Sequence, residues 1–206
     1  MAEETLVRKQ PVQQRSRARV DAILKTATSM IAESGSEGLK MNELARRASV
    51  PIGSLYQFFP NKQAVIHTLA QQWMERVRDQ LRAEYSTITS LEDASQKVVN
   101  ATWQYYELFV NEPIVRDIWC STQGDKLLQE MDIEDSQTNG ELLFGVLAPH
   151  VEESAHERLN AMCFLFMQLT GAAMRLAITQ EEKTAKMLVE QYARLSFLAL
   201  RDFRQA

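Results

Sequence analysis

Apolar residues recur at intervals of three and four over most of the chain, the spacing that places them on one face of an α-helix. Over residues 16–34 this spacing predicts a first helix, whose inner face carries Val20, Ile23, Leu24, Ala27, Met30 and Ile31. A shorter second helix follows, with an apolar face made of Met41, Leu44, Ala45 and Ala48. The alternating pattern of a β-strand does not occur, so the sequence predicts an all-α protein.

Capping residues mark two further helices in the middle of the chain. Asn61 can cap a helix over residues 62–84, which we expect to be a connecting helix that leads out of the N-terminal domain. Ser90 can cap the next helix, and Pro113 ends it near Asn111. This helix is apolar over most of its circumference, which is typical of a helix surrounded by others.

The pattern is interrupted between Pro113 and Pro149. The polar stretch 132–140 predicts a break, so we expect a short helix over residues 114–120 and a separate helix that ends near residue 147. With the two long helices that close the chain, the sequence predicts about nine helices.

The last two helices are expected over about 153–178 and 180–203. Thr179 and Glu182 have the spacing of a capping box for the second of them. That helix carries apolar side chains at coiled-coil-like spacing, namely Leu188, Tyr192, Leu195 and Ala199. The pair either completes the core of a monomer or packs against the same pair of a second subunit as a four-helix bundle.

The segment 40–62 has the spacing of two short helices joined by a tight turn. Pro51 is tolerated in the first turn of a helix but not in its interior, so the second helix must begin at the turn. Two helices joined this closely pack as a helix-turn-helix, whose second helix enters the major groove of DNA.

The residues around the turn form a specific pattern, made of Leu44-Ala45, Ala48, Val50, Gly53-Ser54-Leu55-Tyr56, Phe59 and Lys62. At the same spacing these residues match the TetR family of bacterial repressors, so residues 15–75 resemble the DNA-binding domain of that family. Ser49 replaces the usual turn glycine, and a positive φ there would cost roughly 1 kcal/mol. Pro51 replaces a capping serine, and Phe58 replaces a side chain that in relatives often bonds a phosphate.

Candidate DNA contacts divide into two classes by their chemistry. The side chains suited to phosphate are Arg15, Arg17, Arg19, Lys40, Tyr56 and Lys62. The residues suited to base edges are Pro51, Ile52, Gly53, Ser54 and Gln57. Gln57 can make a bidentate pair with adenine, and Gly53 would let the helix backbone come close to the DNA. The alternative for each single residue is a solvated helix face.

The charge of the chain changes sign along its length. Residues 1–62 hold ten Lys and Arg against six Asp and Glu, whereas the remainder holds 13 against 21. The basic end fits DNA, and the acidic remainder should face away from it. We therefore predict a flexible arm over 1–14, a helix-turn-helix DNA-binding domain over 15–62, and a helical domain for effector binding and dimerisation over 63–206.

The resemblance implies that the helical domain holds a small molecule whose binding changes the spacing of two DNA-reading heads in a homodimer. An adaptable apolar pocket could be lined by Trp103, Tyr106, Phe109, Trp119, Cys120, Phe144, Phe166, Met167 and Met174. Taken singly, each of these is more often ordinary core. Glu107 and Arg175 could select a charged ligand, lie in solvent or pair with each other. We expect an apolar, flat or flexible effector that releases the protein from a palindromic operator.

Two other functions are considered. His67, His150 and His156 lie in separate contexts, and the sequence has no catalytic, metal-binding or phosphate-binding motif, so we expect neither an enzyme nor a cofactor. A DNA-binding repressor or nucleoid-like protein without an effector is the second alternative. Binding of a metabolite or drug library would separate it from an effector-responsive regulator.

The expected location is the cytoplasm. The N-terminus has no apolar signal segment, which argues against secretion. The most apolar run, 161–178, contains Gln168, Thr170 and Arg175, so we interpret it as a buried helix rather than a membrane span. Cys120 and Cys163 are interpreted as small core residues in a reducing compartment.

Overall fold

A computed structural model of the chain describes residues 14–121 and 124–203. Within them it contains nine α-helices, two single-turn 3-10 helices and no strand, which confirms the predicted all-α class. The α-helices are α1 Gln14–Ser34, α2 Met41–Arg47, α3 Ile52–Phe58, α4 Lys62–Tyr85, α5 Leu91–Asn111, α6 Pro113–Ser121, α7 Lys126–Leu147, α8 His156–Ala177 and α9 Glu182–Asp202. The predicted flexible arm, apart from its last residue, lies outside the described residues.

Contacts between the helices divide the chain into two compact units. Among the described residues, the N-terminal unit holds 14–73 together with 113–121 and 124–128, and the helical unit holds 74–112 together with 129–203. Helix α6 therefore belongs to the N-terminal unit, although about fifty residues separate it in sequence from the helix-turn-helix. The functional boundary predicted at residue 62 stays a prediction.

Helix α1 supplies the predicted face of the N-terminal core, where the buried residues are Val20, Ile23, Leu24, Ala27, Met30 and Ile31. In α2, Leu44 and Ala45 are buried, while Met41 and Ala48 are half-buried. Helix α3 has only seven residues, too few to be stable alone, and is held by its buried Leu55.

The turn between α2 and α3 is a left-handed helix end. Ser49 has a φ of 55°, in the region that favours glycine. The N–H of Ser49 donates to the carbonyl of Arg46 at 3.2 Å, and the N–H of Val50 donates to that of Ala45 at 3.0 Å. These two bonds are those of a Schellman motif, which usually has glycine at the position of Ser49. The family's turn is therefore kept, with a strained serine in it.

In the helical unit, α5 and α8 both pack against α9. The core between the helices of this unit includes Tyr85, Leu91, Val98, Leu143, Leu147, Leu159, Cys163 and Leu200. A Cβ added to Gly140 would lie 2.9 Å from the Cα of Phe164, so a glycine is needed where α7 meets α8.

The two cysteines differ in their surroundings. Burial raises the pKa of the core thiol Cys163 to about 12, whereas Cys120 is exposed and its predicted core position is wrong.

Helix α8 is buried along one stripe, which includes Leu159, Cys163 and Met174. The opposite side leaves Phe164, Leu165, Leu169 and Leu176 exposed, so the expectation of a buried helix is met only in part. The segment Glu153–Ala177 is apolar and long enough to cross a membrane by length and composition alone, a test that core helices of soluble proteins also pass.

Two sequence predictions of helix ends are wrong. Helix α7 runs without a break through residues 132–140, because its polar side chains pair with other residues of the helical unit instead of forming a loop. The capping box of α9 does not form. Glu181 is the N-cap residue of that helix, and the hydroxyl of Thr179 instead donates to the carbonyl of Leu176 at 2.7 Å.

The other two predicted caps are confirmed. The side-chain oxygen of Asn61 accepts a hydrogen bond from the N–H of Ala64 at 2.8 Å. The hydroxyl of Ser90 accepts one from the N–H of Asp93 at 3.1 Å, and the carboxylate of Asp93 accepts one from Thr89. Helix α5 ends at Asn111, before Pro113, as predicted.

The strained turn generates a prediction about stability. The free energy of unfolding of the Ser49→Gly variant should be about 1 kcal/mol higher than that of Ser49→Ala, because glycine adopts a positive φ without the steric cost that alanine meets. Both variants lose the same hydroxyl, so each controls for the other in urea unfolding. Equal stability, or a more stable alanine variant, would show that the turn stores no strain.

Candidate functional site

The candidate DNA surface is the outer side of α3 and the turn before it. Pro51, Ile52, Gly53, Tyr56 and Gln57 are all exposed. Ser54 is half-buried, while the buried Leu55 and Phe58 hold the helix against the core. The predicted base-reading residues and Tyr56 therefore share one solvent-facing surface, and the ring of Phe58 packs inward.

Gly53 is the one helical residue of α3 that lacks a side chain. A Cβ added there would meet no heavy atom within 4 Å in the described part of the chain. Its φ is not positive either, since Gly35 is the glycine recorded with a positive φ. Glycine in a helix costs roughly 0.5–1 kcal/mol relative to alanine, and nothing in the free protein requires that cost. A close approach of DNA to the backbone would explain it.

The cationic residues predicted for phosphate lie around this surface to different extents. Lys40, at the start of α2, is exposed, and so are Arg17 and Arg19 on α1. Lys62 is half-buried, and its Nζ lies 3.8 Å from a carboxylate oxygen of Glu37 and 3.5 Å from the carbonyl of that residue. The side chain of Arg15 lies outside the described residues. These contacts to DNA stay predictions.

Two other arginines near the turn are engaged in ion pairs. Arg46 and Arg47 both donate hydrogen bonds to the carboxylate of Glu43, and Arg47 also pairs with Glu33 at 2.6 Å. The hydrogen bonds from Arg46 and Arg47 lower the pKa of Glu43 to about 2. These arginines are thus neutralised within the protein.

Two carboxylates, Asp117 on α6 and Asp125 just before α7, bond other parts of the N-terminal unit. The N–H of Ser36 donates to Asp117 on α6 at 2.9 Å. The ring Nε2 of the buried His67 on α4 lies 2.7 Å from a carboxylate oxygen of Asp125. Burial opposes ionisation of Asp125, but hydrogen bonds from His67 and from backbone N–H groups at the start of α7 leave its pKa lowered. Sequence reasoning missed these contacts, because more than fifty residues separate the partners.

The predicted apolar lining residues fall in both units. Trp119 and Cys120 belong to the N-terminal unit. In the helical unit, the rings of Trp103 and Tyr106 meet edge to face at 6.0 Å, and Phe166 stacks on Tyr192 at 5.6 Å. Phe109 and Met174 are buried, while Phe144, Phe166 and Met167 pack against the core cluster. All of these residues except the exposed Cys120 have a packing role, and a role in a pocket stays a prediction for each.

The structure gives different surroundings to Glu107 and Arg175. Glu107 is exposed, and its carboxylate accepts a hydrogen bond from Asn111 at 3.2 Å. Arg175 is largely buried, and its Nη1 lies 3.7 Å from a carboxylate oxygen of Asp132 on α7. Glu107 therefore faces solvent, which was one of the expected alternatives. Arg175 pairs with Asp132 and not with Glu107.

Arg175 belongs to a group of polar side chains from α4, α7 and α8, which we call the polar cluster. Its members are Arg78, Asp132, Asp135, Asn139, Gln168 and Arg175. Arg78 pairs with Asp135, which also accepts a hydrogen bond from Asn139 at 2.9 Å. Gln168 donates to Asp132 at 3.2 Å. The sequence contained a signal, since 132, 135 and 139 share one face of a helix.

Several polar atoms of the cluster have no partner among the described residues. They are Nε of Arg78, Oδ1 of Asn139, Oε1 of Gln168 and Nη1 of Arg175, the last within ion-pair range of Asp132 but without a hydrogen bond. A buried donor or acceptor left unsatisfied costs about 1–3 kcal/mol. Burial also raises the pKa of Asp135, against the opposing effect of Arg78. The cluster is therefore costly for the free protein.

Comparisons with known proteins agree with this geometry. The family profile described as bacterial regulatory proteins, tetR family, matches residues 23–69, which include the helix-turn-helix. The profile of the tetracyclin repressor-like C-terminal domain matches residues 90–200, more than half of the chain. A search of curated proteins found no match.

Solved structures share the fold over nearly the whole chain. A TetR-family transcriptional regulator from Pectobacterium atrosepticum is 18% identical with a TM-score of 0.68, covering 94% of this chain and 97% of that one. FadR from Bacillus subtilis, in complex with stearoyl-CoA, is 17% identical with a TM-score of 0.61 and coverages of 86% and 97%. RolR, in complex with resorcinol, is 14% identical with a TM-score of 0.63 and coverages of 92% and 94%.

The two profile matches cover the DNA-reading and C-terminal parts in the order in which the helices occur. The resemblance inferred from the turn residues is thereby confirmed. The chain belongs to the tetR family of bacterial regulatory proteins and is a DNA-binding transcriptional regulator.

Proposed function

We propose that this protein is a cytoplasmic repressor that binds a palindromic operator as a homodimer and is released by a small molecule. The observation that carries the proposal is the surface of α3, where the outward residues are exposed and a Cβ added to Gly53 would meet no heavy atom within 4 Å among the described residues. Glycine in a helix costs stability relative to alanine, and a close approach of DNA to the backbone would account for glycine at this position.

In the proposed complex, α3 lies in the major groove. Gln57 and Ser54 would hydrogen-bond base edges, and Ile52 would touch an apolar group such as a thymine methyl. Tyr56, Lys40 and Lys62 would contact phosphates, which gives affinity without sequence preference. Because Arg46 and Arg47 are already paired with Glu43, they are omitted from the predicted contacts.

The proposed dimer is supported by apolar side chains that a single chain leaves in water. Leu165, Leu169 and Leu176 on α8 are about half exposed, and Leu195 and Leu198 on α9 are 65% and 50% exposed. Exposed apolar residues concentrated on two neighbouring helices are typical of an interface. A second copy would cover them as a four-helix bundle and give the two reading heads that a palindrome requires.

Release by an effector is supported by two relatives of the same fold, one seen with stearoyl-CoA and the other with resorcinol. In this chain, α4 and α7 each have residues in both compact units, so the chain itself links the helical unit to the reading head. Within the N-terminal unit, Asp117 on α6 bonds the loop that precedes α2, and Asp125 just before α7 bonds His67 on α4. An effector that moved these segments would change operator affinity by about 1–3 kcal/mol.

A repressor without an effector is the second candidate, and catalysis is the third. The unsatisfied atoms of the polar cluster favour the effector-responsive repressor over the other two candidates, because buried polar atoms in a core that serves only stability are normally hydrogen-bonded.

The first prediction from this proposal concerns Gly53. Gly53→Ala should raise the free energy of unfolding by roughly 0.5–1 kcal/mol, because alanine favours a helix and its methyl group meets no neighbour. Its operator affinity should fall about tenfold or more, because the methyl group would stand between the helix and the DNA. Thermal melting and DNA titration measure the two effects.

Gly145→Ala is the matched control, since Gly145 lies in α7 and an added Cβ there also meets open space. It should gain the same stability and bind DNA as the parent protein does. A Gly53→Ala protein with unchanged DNA affinity would contradict the docking of α3.

The second prediction concerns assembly. The parent protein should sediment as a dimer at micromolar concentration, and Leu195→Glu should shift it towards the monomer, because a buried carboxylate would face the partner subunit. Val110→Glu on α5 is the control, because Val110 is 52% exposed and lies outside α8 and α9. A monomeric parent protein that binds an isolated half-site with full affinity would exclude the dimer.

A further inference from the structure

The polar cluster lies wholly within the helical unit, on three of its helices. Arg78 comes from α4, Asp132, Asp135 and Asn139 from α7, and Gln168 and Arg175 from α8. Its charged side chains keep 15–26% of their surface exposed, so the cluster extends to the protein surface, while its unsatisfied atoms are buried beneath. Asn139 is 4% exposed, yet its side-chain oxygen has no hydrogen-bond donor among the described residues.

The unsatisfied atoms define what a ligand must offer. Nε of Arg78 and Nη1 of Arg175 are donors and need an acceptor, whereas the amide oxygens of Asn139 and Gln168 are acceptors and need a donor. A hydroxyl group supplies both functions with one oxygen, while a carboxylate supplies acceptors only. The cluster therefore favours a ligand with hydroxyl groups.

The charge of the cluster indicates that this ligand is neutral. Two arginines face two aspartates, as the pairs Arg78 with Asp135 and Arg175 with Asp132. An anion would meet the aspartates and a cation would meet the arginines, and either ion would arrive without a free counterion. The neighbouring glutamine and asparagine add hydrogen-bonding capacity without charge.

An aromatic wall lies beside the cluster. Burial raises the pKa of the Tyr105 hydroxyl on α5, and the charges of Asp132 and Asp135 raise it further. Its ring meets Phe109 edge to face at 5.1 Å. Phe109 is fully buried, so a flat ring would pack on the partly exposed Tyr105 while its substituents reach the polar atoms.

We propose that the polar cluster is the effector-recognition site and that it takes a neutral aromatic molecule with two or more hydroxyl groups. This inference rests on the proposed effector response and changes the chemistry expected from the sequence, which was apolar. The aromatic ring of the ligand makes the apolar contacts that were expected from the sequence. Its hydroxyl groups form hydrogen bonds with the amide oxygens and the guanidinium donors.

The test is calorimetric titration of the full-length protein with resorcinol, catechol and 1,3,5-trihydroxybenzene. At least one should bind with a Kd below about 1 mM. The compound 1,3-dimethoxybenzene keeps the ring and the acceptor oxygens but cannot donate, so it should bind about tenfold or more weakly than resorcinol. This comparison needs no variant and is independent of folding.

A variant pair assigns the site. Gln168→Met keeps the length of the side chain and removes its amide, both the acceptor oxygen and the N–H that donates to Asp132, so it should weaken hydroxybenzene binding about tenfold. Gln137→Met is the matched control, since Gln137 is an exposed glutamine on α7 that bonds Glu141, and its binding should be unchanged. Thermal melting of both free proteins shows whether the fold is kept.

The inference is overturned if no hydroxybenzene binds, if the dimethoxy compound binds equally well, or if a folded Gln168→Met protein binds as the parent does. Titration with stearoyl-CoA separates this failure from failure of the proposed function. Release of bound DNA by stearoyl-CoA, with no response to hydroxybenzenes, would leave an effector-responsive repressor with a different site.

Discussion

A seven-residue helix is not stable in water by itself, so the DNA-reading helix of this protein depends on packing for its existence. Leu55 on its inner side and Phe59 just beyond its end are fully buried and supply that packing. The hydrogen-bonded turn at Ser49 fixes the angle at which α3 leaves α2, at the cost of a strained backbone. Because these contacts use only the inner side, the outer side is left to Gly53, Tyr56 and Gln57. Stability and DNA recognition are thus divided between two faces of one short helix.

The helical unit differs from α3 in that it places charged side chains in largely buried positions between its helices. Asp132 and Asp135 tolerate this position because Arg175 and Arg78 pair with them. The pairing is incomplete, and four polar atoms are left without hydrogen bonds in the described part of the chain. A core built for stability alone would have apolar residues there. In the proposed mechanism, the incomplete pairing links the packing of this unit to effector binding.

Local patterns were enough to predict much of the fold. The apolar face of α1, the cap at Ser90 and the helix-turn-helix follow from residues a few positions apart. The break predicted at 132–140 was wrong for a long-range reason, because the partners of its polar residues are Arg78 and Gln168, more than thirty residues away. For the same reason the contacts of Asp117 and Asp125 were not foreseen. Local polarity was mistaken for a loop at the place where the helical unit is chemically most unusual.

Selection of bound DNA from a random pool by the purified protein tests whether two copies of α3 read a palindrome. If they do, the selected pool should be enriched in two inverted half-sites whose centres are about 34 Å apart, or a multiple of that spacing, along the duplex. An enriched single half-site, direct repeats, or the absence of any enriched motif would show that they do not.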